Sequence, residues 1–411
     1  MKTDVRLKKR GVKNGRDVWT AILPLPRGGD GARRQRRFTF VGNKKHAEKA
    51  MIAELAAIGS GTFVAPDRAT LGQYLADWLV SSKPTFAGKT WERFEGIARV
   101  HVIPKLGDVA LQRLTASHLT RAYAYWREAG LSGQTVIHHH RLLHRVLAQA
   151  LREGRVRQNV AAVADKPKAP RREMRFLSES EIARIFEAAE GSRLSPLIAI
   201  ALATGGRRGE LLGLKWDDVD LARGTVSIRR SLEQTKAGVR EKPPKSGKAR
   251  VVMLTAGAID TLRQHRIAEA KTHGLDRTSG AQYVFAGEAG AAWAPHKVTD
   301  GFRDVARRAG IVPLQVRKRA TTRAGRRAAT PTQQRPAKRA PEVTFHSLRH
   351  TCASMLLAAG VHPKVVQEML GHSSVAITMD LYSHATPSLQ SEAAQRLDAI
   401  LRLPAAGAAS A

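Results

Sequence analysis

FHSLRHTCASMLLAAGVHPKVVQEMLGHSSVAITMDLYSH runs from Phe345 to His384 and holds the residues on which the reading of this chain turns. On a helix, His346 and Arg349 stand three apart and share a face, so both can reach one ligand. A guanidinium beside an imidazole suits a phosphate, because arginine offers a two-pronged fork and histidine can donate or carry a proton. His346 and His350 also have the i,i+4 spacing of zinc ligands, but Ser347 occupies the position where the metalloprotease helix carries glutamate. Pro363 sits where a helix starts and Gly371 where one stops, which presents His372 on a turn just past a helix end. Ten residues later, Tyr382 closes an amphipathic stretch. Taken singly, His372 reads as a surface or packing residue and Tyr382 as a packed amphipathic ring.

Two upstream segments belong with this one. Thr204-Gly-Gly-Arg207-Arg208-Gly-Glu210 places two arginines at a glycine-rich helix start. Pro243-Pro-Lys245-Ser-Gly-Lys248-Ala-Arg250 is a basic turn leading into a strand. Alone, the first reads as a capped helix with solvated charge and the second as a solvated loop.

Charge sets the partner class. The chain has 411 residues with 69 Lys+Arg against 35 Asp+Glu, a net charge of +34. An excess of that size repels itself unless a polyanion neutralises it, and the usual polyanion is nucleic acid. An arginine-rich coding bias would spread the charge evenly. Instead, residues 1–65 carry 15 basic and 5 acidic side chains, and residues 314–342 carry 9 and 1. The single cysteine, Cys352, excludes an internal disulfide framework and any multi-cysteine metal site, and it reads as a small buried hydrophobe. The basic opening MKTDVRLKKRGVKNGRD lacks the apolar run of a secretory signal, and no stretch is apolar enough to span a membrane. A cytoplasmic, nucleoid-associated protein is the expectation.

The length predicts two or three domains. Residues 1–62 read as a small basic module, with strands at Val18–Leu25 and Arg36–Val41 and a helix over 44–58. Residues 66–168 read as helical: Thr70 can cap a helix burying Leu71, Tyr74, Leu75, Trp78 and Leu79, and helical patterns recur at 88–102, 115–129 and 132–153. The Pro- and Lys/Arg-rich stretch Asp165–Glu173 marks a boundary. From 174 to 400 helices predominate. Ser178 and Glu181 form a capping-box pair, and strands at Thr225–Arg229 and Arg250–Leu254 flank a long basic connection. Trp216-Asp-Asp-Val-Asp220 reads as a structural acidic helix followed by a turn. Residues 314–342 are too polar to bury a core and read as a flexible insertion, solvated or lying on DNA; 401–411 read as a flexible tail. The fold class is multidomain and mainly α, with a β+α module first and a mixed but mostly helical last domain.

Taken in order, Arg207, Lys245, His346-x-x-Arg349, Leu370-Gly-His372 and Tyr382 resemble the complete active-site set of the tyrosine recombinase, or phage integrase, family. Of the two adjacent arginines, Arg207 carries the family position, because Glu210 follows three residues later. The resemblance spans 174–400. It looks looser over 66–168, as the family's SAM-like core-binding domain, and over 1–62, as its arm-type DNA-binding module. The insertion at 314–342 and Cys352, where an aromatic is common, depart from the pattern.

The resemblance implies DNA cleavage and rejoining through a 3′-phosphotyrosine, with Tyr382 as nucleophile and neither metal, ATP nor other cofactor. Arg207 and Arg349 would hold the scissile phosphate, and His346 would take or relay the tyrosine proton. His372 would bond a phosphate oxygen or steady the site, and Lys245 would protonate the leaving 5′-hydroxyl. The implied partners are double-stranded DNA attachment sites and a homotetramer on synapsed DNA, with an excisionase and a host DNA-bending protein as candidate accessory factors. Integration or excision of a phage or mobile element is the implied role. A type IB topoisomerase-like nicking-resealing enzyme and a catalytically dead DNA-binding protein are the competing readings.

Overall fold

Thr70 opens the helix that its spacing predicts. Its hydroxyl accepts from the Gln73 amide while the Gln73 side chain accepts from the Thr70 amide, a closed capping box. Leu71, Tyr74, Leu75, Trp78 and Leu79 are all buried along one face of that helix. The computed structural model describes residues 6–25, 34–60, 63–170, 175–244, 247–287, 290–312, 343–382 and 397. Its chain divides into two compact units, Met1–Pro170 and Arg171–Ala411. The expected insertion at 314–342 and tail at 401–411 lie outside the described residues.

The first unit begins with an antiparallel sheet of β1 (Lys8–Lys13), β2 (Arg16–Leu25) and β3 (Arg34–Val41), in that order. Helix α1 (Lys44–Gly59) backs it, and Ala21, Leu23 and Phe38 of the sheet pack with Met51, Leu55 and Ile58 of the helix. The sequence predicts two strands here and the structure has three. Strand β1, KKRGVK, is exposed at every residue and bulged between Lys9 and Gly11, so it shows no alternation of apolar and polar positions. The available signal was its turn. Asn14 and Gly15 both take positive φ, +52° and +73°, as an Asn-Gly hairpin turn requires.

The rest of this unit is helical: α2 (Leu71–Ser82), α3 (Gly88–Ile97), α4 (Ile103–Leu106), α5 (Ala116–Glu128), α6 (Gly133–Arg152) and α7 (Val160–Val163). Their apolar faces close one core around Trp78, Trp126, Leu142 and Leu147. His139 lies inside it, fully buried, its ring 4.7 Å from both His101 and Trp126, and neither ring nitrogen has a hydrogen-bond partner. A buried polar group left so costs about 1–3 kcal/mol. Burial, then the nearby His101 and His138, push its pKa down to about 4. The ring is therefore neutral when folded but charges in the unfolded chain below its ordinary value, so it draws stability away as pH falls from 6.5 toward 4. His139→Leu is expected to raise the thermal unfolding temperature, and more at pH 5 than at pH 7.5. An unchanged or lower temperature at both pH values would refute this.

The second unit contains α8 (Glu179–Ala189), α9 (Ser195–Thr204), α10 (Arg208–Leu212), β4 (Val219–Asp220), β5 (Thr225–Ile228), β6 (Ser231–Thr235), β7 (Gly238–Lys242), β8 (Arg250–Met253), α11 (Ala256–His273), α12 (Pro295–Arg308), α13 (Phe345–Ala358), α14 (Pro363–Leu370) and α15 (Val375–Tyr382). Ser178 and Glu181 form their capping box at the start of α8. Strands β4, β5 and β8 make one antiparallel sheet. The connection between β5 and β8 is more ordered than its charge suggests, because it folds into the β6–β7 hairpin. There the buried Glu233 carboxylate pairs with Arg240 at 2.8 Å and Lys242 at 2.5 Å.

One local expectation is corrected. Trp216–Asp218 is a single 3-10 turn and Val219–Asp220 a strand, in place of the expected helix. The reason is pairing outside a helix: Asp218 accepts from the Lys215 amide and from the Arg230 guanidinium, and Val219 pairs with Val226. Helix α9 is apolar on nearly every side and runs through the core, packed on α11 and α13. It thereby delivers its C-terminal turn, Thr204–Arg207, next to α13.

Candidate active site and nucleic-acid interface

The site forms where the end of α9, the start of α10, the first turn of α13 and the end of α14 meet. Gly205 ends α9 in the left-handed region, φ +58°, and a Cβ there would stand 2.2 Å from Leu370. Only glycine permits both that backbone and that approach. The Gly205 carbonyl accepts from Arg349 Nη1 at 2.8 Å, which ties α13 to the α9–α10 turn. Arg349 is 2% exposed, and its Nη2 is buried without a hydrogen-bond partner.

Arg207 stands at the cap of α10. Its Nη1 donates to Glu210 Oε1 at 2.8 Å and its Nη2 to the Gly371 carbonyl at 3.1 Å. Glu210, 1% exposed, also accepts from the Arg207 amide at 3.1 Å and from Arg250 Nη2 at 2.6 Å. Burial alone would raise the Glu210 carboxyl. The hydrogen bond and charge of Arg250, and then the hydrogen bonds of Arg207, outweigh it and hold the group below its ordinary value. Burial, followed by the charge of Arg207, pushes Arg349 down to about 9, so it remains a cation near neutrality.

Helix α14 ends at Gly371, φ +68°, and His372 follows on the predicted turn. His372 Nδ1 lies 2.9 Å from Thr378 Oγ1, which is fully buried on α15. That helix packs on α13 and α14, and its last residue, Tyr382, comes one helical turn after Thr378. Burial and the charges of Arg349 and Arg207 push His372 down to about 4. His346 is exposed and packs edge-to-face on His350, ring centres 4.6 Å apart. The protein around it, then His350, Arg349, Arg207 and Arg208, hold its pKa below the ordinary histidine value. Both imidazoles are thus neutral at pH 7, in a form that can accept a proton. An anion bound among these arginines would oppose the same repulsion and raise both values.

Four sequence-predicted positions fall at this junction, Arg207, His346, Arg349 and His372, while the backbone of Tyr382 ends α15. Lys245 and the Tyr382 side chain lie outside the described residues. Among the described residues no group of three or more His, Cys, Asp or Glu side chains is placed to hold a metal. Arg250 and Thr378 were not singled out from sequence. Arg250 read only as the first residue of a strand, and its partners are remote along the chain. Such an arrangement suits a phosphodiester: two guanidinium groups, Arg207 and Arg250, share one carboxylate, a third, Arg349, is held by the Gly205 carbonyl, and buried N–H donors of Arg250 and Arg349 are still unpaired.

A second basic feature lies within the helical part of the first unit. A groove of about 1330 Å³ is lined by Lys89, Arg93, Arg141, Arg145, Arg152 and Lys166 among others. The Arg145 guanidinium sits 5.1 Å over the Phe86 ring and 6.0 Å from Phe94, which holds it in place within the groove. A concave surface of that charge suits a nucleic-acid backbone.

Residues 175–388 match the model of the phage integrase family, and residues 70–127 match that of the phage integrase N-terminal SAM-like domain. A relative described as tyrosine recombinase XerC-like, from Caldanaerobacter subterraneus subsp. tengcongensis, is 26% identical over 420 residues, covering 95% of this chain and 98% of the relative. Among solved structures, the Tn1549 transposon integrase in complex with a circular intermediate DNA superposes with a TM-score of 0.63 at 20% identity, covering 80% of this chain and 99% of that one. A lambda integrase tetramer bound to a Holliday junction gives 0.53 at 19% identity, covering 91% and 94%.

Proposed function

Because this chain belongs to the phage integrase family, whose members include tyrosine-type site-specific recombinases, we propose that it cuts and rejoins DNA strands through Tyr382. The observation that carries the reading is the meeting of Arg207, Arg349 and His372 at one junction, with unpaired buried donors, from segments far apart in the chain. The Tyr382 hydroxyl oxygen attacks the scissile phosphorus and its proton passes to His346. The bond from phosphorus to the 5′-oxygen breaks, and Lys245 supplies the proton that makes the leaving 5′-hydroxyl. The product is a 3′-phosphotyrosine. Its ester keeps the energy of the broken phosphodiester, so attack by another strand's 5′-hydroxyl reseals DNA without ATP.

The surroundings explain why a tyrosine can serve. With a pKa of about 10, only about one tyrosine in a thousand is ionised at pH 7, a deficit of roughly 4 kcal/mol. Arg207 and Arg349 would offset it by stabilising the charge that builds on the non-bridging oxygens of the transition state. His372, kept neutral and anchored through Nδ1 to Thr378, keeps its other ring nitrogen for a phosphate oxygen.

Residues 1–62 serve in this reading as an arm-type DNA-binding module, 66–168 as the core-binding domain with its basic groove on the duplex, and 174–400 as the catalytic domain. The partners are double-stranded attachment sites of a phage or other mobile element and three further copies of the chain in a synaptic tetramer. An excisionase and a host DNA-bending protein are candidate accessory factors. The similarity to an integrase solved with transposon DNA and to one solved as a tetramer on a Holliday junction supports this assignment.

The test uses nicked duplexes from the junctions that flank the coding region. The wild-type protein is expected to leave a detergent-stable protein–DNA adduct on its own site and little on scrambled duplex. Efficient relaxation of a supercoiled plasmid that lacks such a site would instead support the topoisomerase-like activity. Duplex binding with no adduct would indicate a DNA-binding protein without catalysis.

A further inference from the structure

Arg250 is the first residue of β8, five positions after Lys245, and its side chain is only 10% exposed. Its Nη2 donates to Glu210 Oε2 at 2.6 Å and its Nε to the Met369 carbonyl at 2.9 Å. Its Nη1 is buried without a hydrogen-bond partner, and a Cβ on Gly371 would stand 2.9 Å from that nitrogen. Arg207 grips the same two places from the other side, bonding the opposite oxygen of Glu210 and the Gly371 carbonyl. Two arginines, one carboxylate and the last turn of α14 therefore close a ring, and His372 is the next residue after it.

We propose that Arg250 is a positioning residue of the strand-cleavage reaction, holding Glu210 so that the Arg207 fork is aimed and holding the end of α14 so that His372 is presented at the phosphate. This rests on the recombinase reading above. The chemistry requires a guanidinium here. Two hydrogen bonds diverge from one planar group, to a carboxylate on one helix and a carbonyl on another. A lysine ammonium supplies the charge without that fixed fork.

The experiment compares wild type, Arg250→Gln and Arg250→Lys as full-length proteins on the nicked substrate. It reads the rate constant of adduct formation at saturating protein, the adduct amplitude, duplex affinity and thermal unfolding. For Arg250→Gln the rate constant is expected to fall roughly a hundredfold, while amplitude and affinity stay within about twofold of wild type. Arg250→Lys is expected at about a tenfold loss, with near-wild-type unfolding. An unchanged rate constant in a folded variant, with or without reduced amplitude, overturns the proposal, because a residue that only stabilises the fold changes how much enzyme is active and not how fast it cuts. Should Arg250→Gln not fold, the rate constant of Arg250→Lys decides by the same criterion. Failure of the wild-type protein to form any adduct would instead refute the recombinase reading on which this rests.

Discussion

A Tyr382→Phe protein is expected to bind its duplex with wild-type affinity and to form no covalent protein–DNA adduct on a nicked substrate. The substitution removes one oxygen atom and keeps the ring, so α15 and its packing on α13 and α14 should persist. No reaction through the ring is left once that oxygen is gone, so the loss should exceed about ten-thousandfold and reach the detection limit. In the proposed reaction Arg207, Arg349 and His372 hold the phosphate without that oxygen, which is why affinity should hold. An adduct that persists in this variant at more than a trace would show that another residue is the nucleophile.

Glu210→Ala is expected to damage both stability and chemistry. The carboxylate is fully buried between the guanidinium groups of Arg207 and Arg250, at 2.8 and 2.6 Å. Its removal leaves two like charges facing each other in a place that water does not reach, a change worth about 3–5 kcal/mol. Thermal unfolding should show the loss at pH 7, and adduct formation should fall with it because the Arg207 fork is no longer held. The pH dependence gives an independent check. The Glu210 pKa is depressed on folding, so its contribution is present above the ordinary carboxylate value and disappears as pH drops through the lower folded-state value. Wild type should therefore lose stability on acidification through and below the ordinary carboxylate range, and Glu210→Ala should lose less over that interval. Parallel curves for the two proteins would count against this account of the network.

The local features of the site were readable from sequence because their signals are local. The start of α14 at Pro363, its stop at Gly371, the shared face of His346 and Arg349, and the Arg207–Glu210 pair all lie within one or two helical turns. The capping boxes at Thr70 and Ser178 were legible for the same reason. Strand β1 was missed because a lysine-rich edge strand with both faces in water has no periodicity, although Asn14-Gly15 marked its turn. The acidic run after Trp216 misled because its backbone pairs into a sheet at Val219–Asp220 and the Asp218 carboxylate is held by Arg230 twelve residues on.

By itself, then, the sequence determined which residue types the proposed site has, their order, the helices that carry Arg349 and its neighbours, and the excess of positive charge. Helix caps, periodicity and charge are settled by neighbours along the chain. Tertiary structure alone decided that Arg207 meets the Gly371 carbonyl across 164 residues, that Arg349 spans 144 to reach Gly205, and that Arg250 joins them through Glu210 and Met369. The physical reason is that a buried guanidinium is stable only where the folded chain brings acceptors to it. Those acceptors are mostly backbone carbonyls at helix ends, which every residue possesses and no sequence pattern marks.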